Sequence, residues 1–473
     1  MCNAAPRSNR LCMSLPNSRS SSFGPILSAL ATEANGKTHT VIVRQSASVF
    51  SVQVFALFFG LLNNFLVAYL VGPEGKGVVD FLQVIVVGIG LVVLNFGLGP
   101  AVVYYSGRDG TYPEADAAAA TLWASLILGM LPAVALGSIW HWAGHLLTQK
   151  IAGPYLWLGL ASIPSTILAF NGSFFILARG KMRSYNWLKV GQALCFSLSL
   201  LFLLWAHLGT VWFVVLFWLA SASVPGLYTV ALLRSFGARL SHSWVKFCRS
   251  ALRFGWHSQL GAITQHFQNR VDVLLVSYFL PLRELGIYSI AISLAELLWY
   301  MPQAVATVLM PHVAANSDED ASRVTPMFCR AVLTTTAVLS LAMAAISSWV
   351  LPRFLPAFAG SARILWLLLP GVIFASVFKV LSSDFTGRGK PLETFYPAAI
   401  ALTARFVLGV CFIPRFGITG AAYVATAGYI LTTVLYVRAY SRQTGVLTKD
   451  LFLLRWQDIV WLRASFLPLR SQT

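Results

Sequence analysis

The sequence predicts an all-α polytopic membrane protein, with about twelve transmembrane helices in two six-helix bundles around a central cavity. Its 473 residues are 57% hydrophobic and only 11% charged, and the mean hydropathy is +0.71. A soluble globular domain carries a much larger charged fraction. Apolar windows long enough to cross a bilayer recur along the whole chain. An internal repeat with an offset of 209 residues divides these windows into two sets.

The apolar windows are joined by short connections, with no soluble domain between them. We place the spans near residues 46–71, 78–105, 117–140, 155–177, 189–207, 210–233, 254–279, 285–312, 328–350, 361–382, 397–413 and 419–440.

The charge balance is strongly basic, with 34 Lys and Arg against 16 Asp and Glu. In a soluble protein this excess of basic residues would suggest nucleic-acid binding, but in a polytopic membrane protein basic residues collect in cytoplasmic loops. Most of the Lys and Arg residues lie in the terminal segments and in every second connection between spans, which are on the same side of the membrane. We therefore expect both termini in the cytoplasm, a location in the cytoplasmic (inner or plasma) membrane, and no nucleic-acid partner.

The repeat sets the expected domain boundaries. Sliding the chain by 209 residues aligns Arg179-Gly180-Lys181 with Arg388-Gly389-Lys390, Gly77 with Gly286, and Asn63 with Asp272. Both halves then have the same orientation, related by an axis along the membrane normal. We expect a disordered cytoplasmic tail at 1–40, an N-terminal bundle at 41–245, a C-terminal bundle at 246–441 and a basic cytoplasmic segment at 442–473.

The span near residues 254–279 carries Arg270 and Asp272 close to its middle. Because the two residues are two positions apart on a helix, they point in different directions and cannot pair with each other. A charge that faces lipid costs at least a few kcal/mol. Their polar arc must therefore face protein or a wet cavity.

Ionisable residues within spans have two interpretations. They can form interhelical ion pairs that only hold helices together, or they can line a substrate path, which is the default interpretation inside a membrane. On the second interpretation we expect substrate contacts from Arg270, Arg405, Lys379, Asn63, Asn64 and His266. The candidates for ion coupling are Asp272, Glu296 and Asp384.

Two basic turns occupy equivalent positions in the halves. They contain Arg179, Lys181 and Arg183 in the first half, and Arg388 and Lys390 in the second. Such turns anchor a protein by the positive-inside rule. The sharper interpretation is that they recruit an anionic lipid headgroup to the cytoplasmic mouth.

Catalytic and metal chemistry find little support in the sequence. The six cysteines show no CxxC spacing, which argues against a zinc site or a disulfide framework. No P-loop or nucleophile-elbow motif lies in a loop able to hold it. We expect no enzyme activity, no cofactor and no metal.

Several motifs together resemble those of a known family. They are Leu70-Val71-Gly72-Pro73-Glu74-Gly75-Lys76-Gly77, Asn269-Arg270-Val271-Asp272-Val273-Leu274-Leu275, Leu285-Gly286-Ile287-Tyr288-Ser289, Thr386-Gly387-Arg388-Gly389-Lys390-Pro391 and Gly417-Ile418-Thr419-Gly420-Ala421-Ala422. In order and spacing they resemble the oligosaccharide (O-antigen type) polysaccharide flippases of the multidrug, oligosaccharidyl-lipid and polysaccharide exporter superfamily. The resemblance covers nearly all of residues 45–440.

The resemblance implies a V-shaped two-bundle fold and a transport function. Members of that family move an undecaprenyl-pyrophosphate-linked oligosaccharide from the cytoplasmic to the periplasmic leaflet by alternating access, often driven by an ion gradient. Cationic cavity residues receive the pyrophosphate. Only Arg270 and Asp272 lie in a family motif, whereas Arg405 and Lys379 are inferred from position. The expected partners are the lipid bilayer, the lipid-linked glycan and other polysaccharide assembly proteins.

Three alternatives stay open at this stage. A multidrug exporter of the same superfamily would favour acidic and aromatic cavity residues, whereas this sequence has an excess of intramembrane Arg and Lys. A membrane-embedded glycosyltransferase or glycan polymerase generally needs a substantial outer loop, and the outer loops here are short. A non-transporting scaffold of a polysaccharide assembly complex also fits.

Overall fold

The computed structural model describes residues 24–107, 112–147, 151–239, 243–315, 317–390 and 392–452, which form helices and short connections without a strand among them. The chain divides into two compact units, one ending at Val52 and the other beginning at Gln53. All contacts and cavities named below lie within the second unit.

The described residues of the first half form seven α-helices and one π-helical segment. They are α1 (Gly24–Asp80), the π segment (Phe81–Val87), α2 (Gly88–Leu94), α3 (Leu98–Gly107), α4 (Glu114–Leu147), α5 (Gly153–Ala178), α6 (Met182–Trp205) and α7 (Val211–Ser235). Helix α1 begins inside the predicted tail of residues 1–40, and residues 1–23 lie outside the described ranges.

The second half contains the remaining helices. They are α8 (Ser243–Phe279), α9 (Leu282–Leu297), α10 (Tyr300–Ala315), α11 (Asp318–Phe354), a 3-10 turn (Pro356–Phe358), α12 (Ala359–Gly387), α13 (Leu392–Thr444) and α14 (Lys449–Phe452). The predicted basic segment at 442–473 is described only as far as Phe452.

Eight of the described helical stretches are long and apolar enough to cross a membrane, or nine if the bent pair α9–α10 is one span. Two of the eight contain a break, at Gly72 (φ 67°) in α1 and at Gly417 (φ 60°) in α13. Glycine adopts this left-handed conformation without steric cost. Each break turns one helix into two spans, and the more polar α8 supplies another. The described helices thus follow the twelve predicted windows.

Three clusters of apolar side chains form the core. The largest joins both halves, from Val67 in α1 to Tyr429 in α13. A second cluster packs α3, α4, α5 and α7 against the first turns of α8, through Phe247 and Ala251. A third packs α10 to α14. The start of α8 therefore packs on the first half, although its later turns pack against α13.

Glycines let the two halves approach closely at residues that the repeat makes equivalent. A Cβ atom on Gly77 would collide with the backbone carbonyl of Leu282, and one on Gly286 would collide with that of Pro73. The offset of 209 converts Pro73 into Leu282 and Gly77 into Gly286. The two contacts are therefore the same contact seen from either half. The predicted repeat has a physical counterpart at this interface.

A polar contact lies beside these glycines. The hydroxyl of Ser289 donates a hydrogen bond to the carboxylate of Asp80, which is its own repeat mate 209 residues away. Two equivalent residues can contact each other only near the axis that relates them. We call this hydrogen bond and the two glycine contacts the clasp. It joins the halves at their pseudo-twofold axis.

Candidate functional site

A polar cavity of about 340 Å³ lies between the two halves beside the clasp. Helices α1, α6 and α7 and the π segment form one wall, and α8 and α9 form the other. The polar side chains of its lining are Asn63, Asn64, Lys76, Asp80, Gln83, Lys189, Gln192, Arg270, Ser289, Ser293 and Glu296.

Arg270 and Glu296 form an ion pair on the cavity wall. The guanidinium meets the carboxylate in a two-pronged contact, with Nη1 2.9 Å from Oε1 and Nη2 3.3 Å from Oε2. Both side chains keep about a third of their surface exposed, at 32% and 28%. Sequence reasoning placed both residues in the substrate path, and the structure brings them together on the wall of one cavity.

Two lysines of the first half also line this cavity. Lys76 is buried and pairs with Asp80 one helical turn away, so the same carboxylate binds Lys76 and Ser289. Lys189 is exposed, and its Nζ lies 5.4 Å from the centroid of the Tyr185 ring. No carboxylate pairs with Lys189 within the described ranges. It is a cation that is available to a ligand.

Sequence reasoning missed Lys76, Asp80 and Lys189. Lys189 was missed because a basic residue at the start of a span is usually interpreted as a positive-inside anchor. Lys76 was missed because it lies in the family motif after the first span, which was interpreted as a turn. Two signals in the sequence could have revealed the contacts of Asp80 with Lys76 and with Ser289. The spacing of Lys76 and Asp80, four residues apart, indicates a helical ion pair. The offset of 209 residues also makes Asp80 the counterpart of Ser289.

Two amides join helices around the cavity. Asn63 donates from Nδ2 to the carbonyl of Ala193 at 2.9 Å and accepts from the Ser197 hydroxyl at 2.7 Å. Asn64 donates to the Ser293 hydroxyl at 2.5 Å, across the two halves. The Oδ1 atom of Asn64 is buried without a hydrogen-bond partner among the described residues. Asn63 is therefore held by its neighbours, whereas Asn64 keeps one free acceptor.

Arg405 does not line this cavity. It is 1% exposed, and its Nη2 lies 3.6 Å from Oδ2 of Asp272, which is 3% exposed. Arg405 Nη1 also donates to the Gln268 carbonyl at 2.5 Å, and the Tyr288 hydroxyl donates to Asp272 at 2.8 Å. The Tyr429 ring stacks 4.7 Å from the guanidinium. In this conformation Arg405 and Asp272 are therefore buried against each other and lie outside the cavity lining, and their roles toward substrate and a coupling ion stay predictions.

Lys379 and His266 lie near the cavity but outside its lining. Lys379 has its Nζ 4.5 Å from the Trp299 ring and interacts electrostatically with Glu296. His266 packs against Gly88 of α2 and meets the edge of Phe267. Neither residue is part of the cavity wall in this conformation, and their contacts with substrate stay predictions.

Asp384 belongs to a closed polar cluster at the end of α12. The carboxylate is fully buried and accepts from Arg388 Nε at 2.5 Å and from the Thr325 hydroxyl at 2.6 Å. Arg388 also pairs with Asp318 at 2.8 Å. In this conformation the Asp384 carboxylate is buried and Arg388 is paired within the protein, while their predicted roles in ion coupling and headgroup recruitment stay predictions.

The other basic turn residues are more accessible. Arg179 is partly exposed and lies 3.3 Å from Glu114. Lys181 is exposed over the Phe236 ring at 4.0 Å, and Arg183 is exposed as well. Lys390 is exposed and donates to Gln443 at 3.3 Å. Their recruitment of a headgroup stays a prediction.

An apolar groove of about 470 Å³ lies on the other side of the same wall. The π segment turns Gln83 toward the cavity and Phe81 and Ile85 toward the groove. Helix α8 likewise turns Arg270 toward the cavity and Tyr278 toward the groove. The π segment and α8, which we call the seam between the halves, thus separate the polar cavity from the apolar groove. Within the described ranges, no grouping of His, Cys, Asp and Glu suits a metal ion.

Long apolar helices with ionised side chains between two halves define a multi-pass membrane protein. Residues 42–317 match the model of the polysaccharide biosynthesis protein family, and the chain belongs to this family. The sequence resemblance to polysaccharide flippases is thereby confirmed.

Two curated relatives come from Haloferax volcanii. A probable flippase AglR is 22% identical over 236 residues, which is 48% of this chain and 49% of that protein. A probable low-salt glycan biosynthesis flippase Agl15 is 24% identical over 216 residues, 41% of this chain and 43% of that protein. The chain thus spans about half the length of the curated relatives it matches.

Solved structures share the fold over nearly the whole chain. The lipid II flippase MurJ, in an inward closed conformation, has a TM-score of 0.65 at 12% identity and covers 91% of this chain and 94% of its own. An inward-facing multidrug resistance MATE family transporter of the MOP superfamily has a TM-score of 0.63 at 16% identity, covering 82% and 95%. The predicted twelve-helix fold class is confirmed.

Proposed function

We propose that this protein is a flippase that carries a lipid-pyrophosphate-linked oligosaccharide across the cytoplasmic membrane, with undecaprenyl as the lipid. The observation that carries the proposal is the pair of accessible cations, Lys189 and Arg270, on the wall of a polar cavity between the halves. The names of the Haloferax volcanii relatives and of the lipid II flippase support the same substrate class.

The cavity favours an anionic ligand. Its lining contains Lys76, Lys189 and Arg270 against only Asp80 and Glu296, so the cations are in excess. A guanidinium offers parallel N–H groups that match two oxygens of a phosphate, and the contact with Glu296 displays that geometry toward a carboxylate. Pyrophosphate bound by Arg270 and Lys189 would replace the carboxylate oxygens of Glu296.

The two faces of the seam suit the two parts of a lipid-linked glycan. Amide and hydroxyl side chains of the cavity can donate to and accept from sugar hydroxyls, which the apolar groove cannot. The prenyl chain would lie in the groove beside Phe81 and Tyr278, where it stays among apolar side chains. The headgroup would then enter the cavity between the π segment and α8.

Alternating access requires the halves to separate at one end and close at the other. The clasp holds them together through Asp80 and Ser289, so we assign it to a gate. The pair Asp80→Cys/Ser289→Cys should form a disulfide that stops transport until reductant is added. Undiminished transport by the cross-linked protein would contradict a gate at this position.

The remaining assignments follow the charge distribution. Glu296 faces the cavity and is the coupling group we propose, because Asp272 and Asp384 are buried in ion pairs. Lys181, Arg183 and Lys390 would attract headgroups on the cytoplasmic side, where both termini are expected. The protein would act as a transporter within a polysaccharide assembly system and not as an enzyme.

A multidrug exporter is the second candidate function, since a MATE transporter shares the fold. Complementation separates the two. In a strain that lacks its glycan flippase, the wild type should restore glycan export, and Arg270→Ala and Lys189→Ala should fail at equal protein levels. Arg363→Ala removes an exposed cation outside the cavity and should behave as wild type. Drug resistance without glycan export would favour the exporter and overturn the proposal.

A further inference from the structure

We propose that the end of α13 carries a binding site for the phosphate of an anionic membrane phospholipid. A third pocket, of about 360 Å³, lies there, and its lining shares no residue with the polar cavity or the apolar groove. The site therefore does not depend on the proposed transport function. Its lining residues are Val434, Val437, Arg438, Ser441, Arg442, Thr448 and Phe452.

The polar side of the pocket is formed by two arginines. Arg438 and Arg442 are four residues apart on one helix, so their side chains project from the same face. Both are exposed, and neither forms an ion pair with any described residue. Arg388, in the neighbouring cluster, is instead fully engaged by Asp384 and Asp318. Among the described residues, the two arginines of the pocket thus have no carboxylate partner.

A hydroxyl lies beside these guanidinium groups. The Oγ atom of Ser441 is buried and has no hydrogen-bond partner among the described residues. A buried polar atom without a partner costs free energy, and a ligand oxygen would remove that cost. Ser441 lies between Arg438 and Arg442 in the sequence and lines the same pocket. All three side chains offer hydrogen-bond donors suited to a phosphate.

The other side of the pocket is apolar. Val434 and Val437 precede Arg438 on α13, and Phe452 closes the pocket from α14. The Phe452 ring contacts Phe374 of α12, with ring centroids 6.1 Å apart. An inorganic phosphate would leave these apolar surfaces uncovered. A phospholipid would place its phosphate on the arginines and its acyl chain along the valines.

The pocket is built by tertiary contacts that hold α14 in place. Leu451 is fully buried in the third apolar cluster. The guanidinium of Arg330 donates to the backbone carbonyl of Asp450. These two contacts orient the short α14, so that Leu451 faces the core while its neighbour Phe452 faces the pocket.

Native mass spectrometry of the purified, delipidated full-length protein tests the site. Phosphatidylglycerol and phosphatidylcholine with identical acyl chains are titrated onto the wild type, Arg438→Gln/Arg442→Gln and Arg249→Gln/Arg253→Gln. The last variant is the matched control, because Arg249 and Arg253 are also exposed and four residues apart, on α8.

We expect the wild type to retain phosphatidylglycerol at least about tenfold more strongly than Arg438→Gln/Arg442→Gln, because hydrogen bonds to charged groups are lost. The control variant should retain the lipid as the wild type does. Equal retention by all three proteins, or equal loss in both variants, would overturn the proposal. Complete displacement of the lipid by millimolar inorganic phosphate would also overturn it, because the apolar side would then contribute nothing.

Discussion

The arginines Arg270 and Arg405 occur in the same half and each meets one carboxylate, but their surroundings differ completely. The Arg270–Glu296 pair keeps 32% and 28% of its side chains exposed on the wall of a cavity. The Arg405–Asp272 pair keeps 1% and 3% exposed. Burial therefore decides what each charge can do. The first pair is open to the cavity, where we propose that a ligand replaces its carboxylate, whereas the second pair is closed off and joins α8 to α13 in this conformation.

The largest expected difference between the two pairs is in stability. Arg405→Ala leaves the Asp272 carboxylate buried without its cation, and removing one partner of a buried pair costs about 3–5 kcal/mol. We expect a clear fall in the thermal unfolding midpoint of the purified protein. The free energy of unfolding of Arg270→Ala should stay within about 1 kcal/mol of the wild-type value, since exposed ion pairs contribute little to stability.

The variant Arg405→Met/Asp272→Leu sharpens this test. It removes both charges, so no uncompensated ion remains, and much of the lost stability should return. If Arg405→Ala unfolded at the wild-type midpoint but failed to bind substrate, the assignment of Arg405 to the core would be wrong.

The next largest effect concerns ligand binding at the cavity. Lys189→Gln removes an accessible ammonium, and we expect about a tenfold weaker affinity for a short-chain prenyl-pyrophosphate-linked sugar. Lys181→Gln is the matched control, because Lys181 is exposed on a basic turn outside the cavity. Calorimetric titration measures both. Equal affinities for Lys189→Gln and the wild type would remove Lys189 from the site.

The smallest expected effect is on the ligand affinity of a Glu296 variant, and it shows whether this carboxylate competes with the ligand for Arg270. The Glu296 carboxylate binds the Arg270 guanidinium in the structure, so Glu296→Gln should free that group for phosphate. Because a partly exposed pair is worth at most about 1 kcal/mol, affinity for the same ligand should rise by no more than about fivefold. Weaker binding by Glu296→Gln would show that the carboxylate contacts the ligand instead of competing with it.

The sequence contained more of the fold than of the site. Hydropathy predicted the twelve spans, charge bias predicted their orientation, and the offset of 209 predicted the two halves. The same offset relates Asp80 to Ser289, which are hydrogen-bonded in the structure. Arg270 was predicted to contact substrate and Glu296 to couple an ion, because charged side chains within a membrane span are costly and usually functional. Both lie on the cavity wall.

Periodicity could not separate accessible charges from sealed ones. Arg405 lies in an apolar window much as Arg270 does, Asp384 lies just beyond the end of one, and only tertiary packing shows that both are buried. Lys189 was missed for the opposite reason, since a lysine near the start of a span looks like an anchor. The direction of a side chain depends on which helices pack beside it, and a single sequence does not record that.

Translocation in proteoliposomes tests the central claim that Arg270 receives the anionic headgroup in the cavity. The initial rate at which a fluorescent lipid-pyrophosphate oligosaccharide crosses the bilayer would be compared for the wild type, Arg270→Ala and Arg363→Ala at matched protein amounts. We expect the initial rate of Arg270→Ala to be about a hundredfold lower than that of the wild type, because two hydrogen bonds to charged oxygens disappear. The rate of Arg363→Ala should match that of the wild type. A folded Arg270→Ala protein that translocates at the wild-type rate would contradict the account.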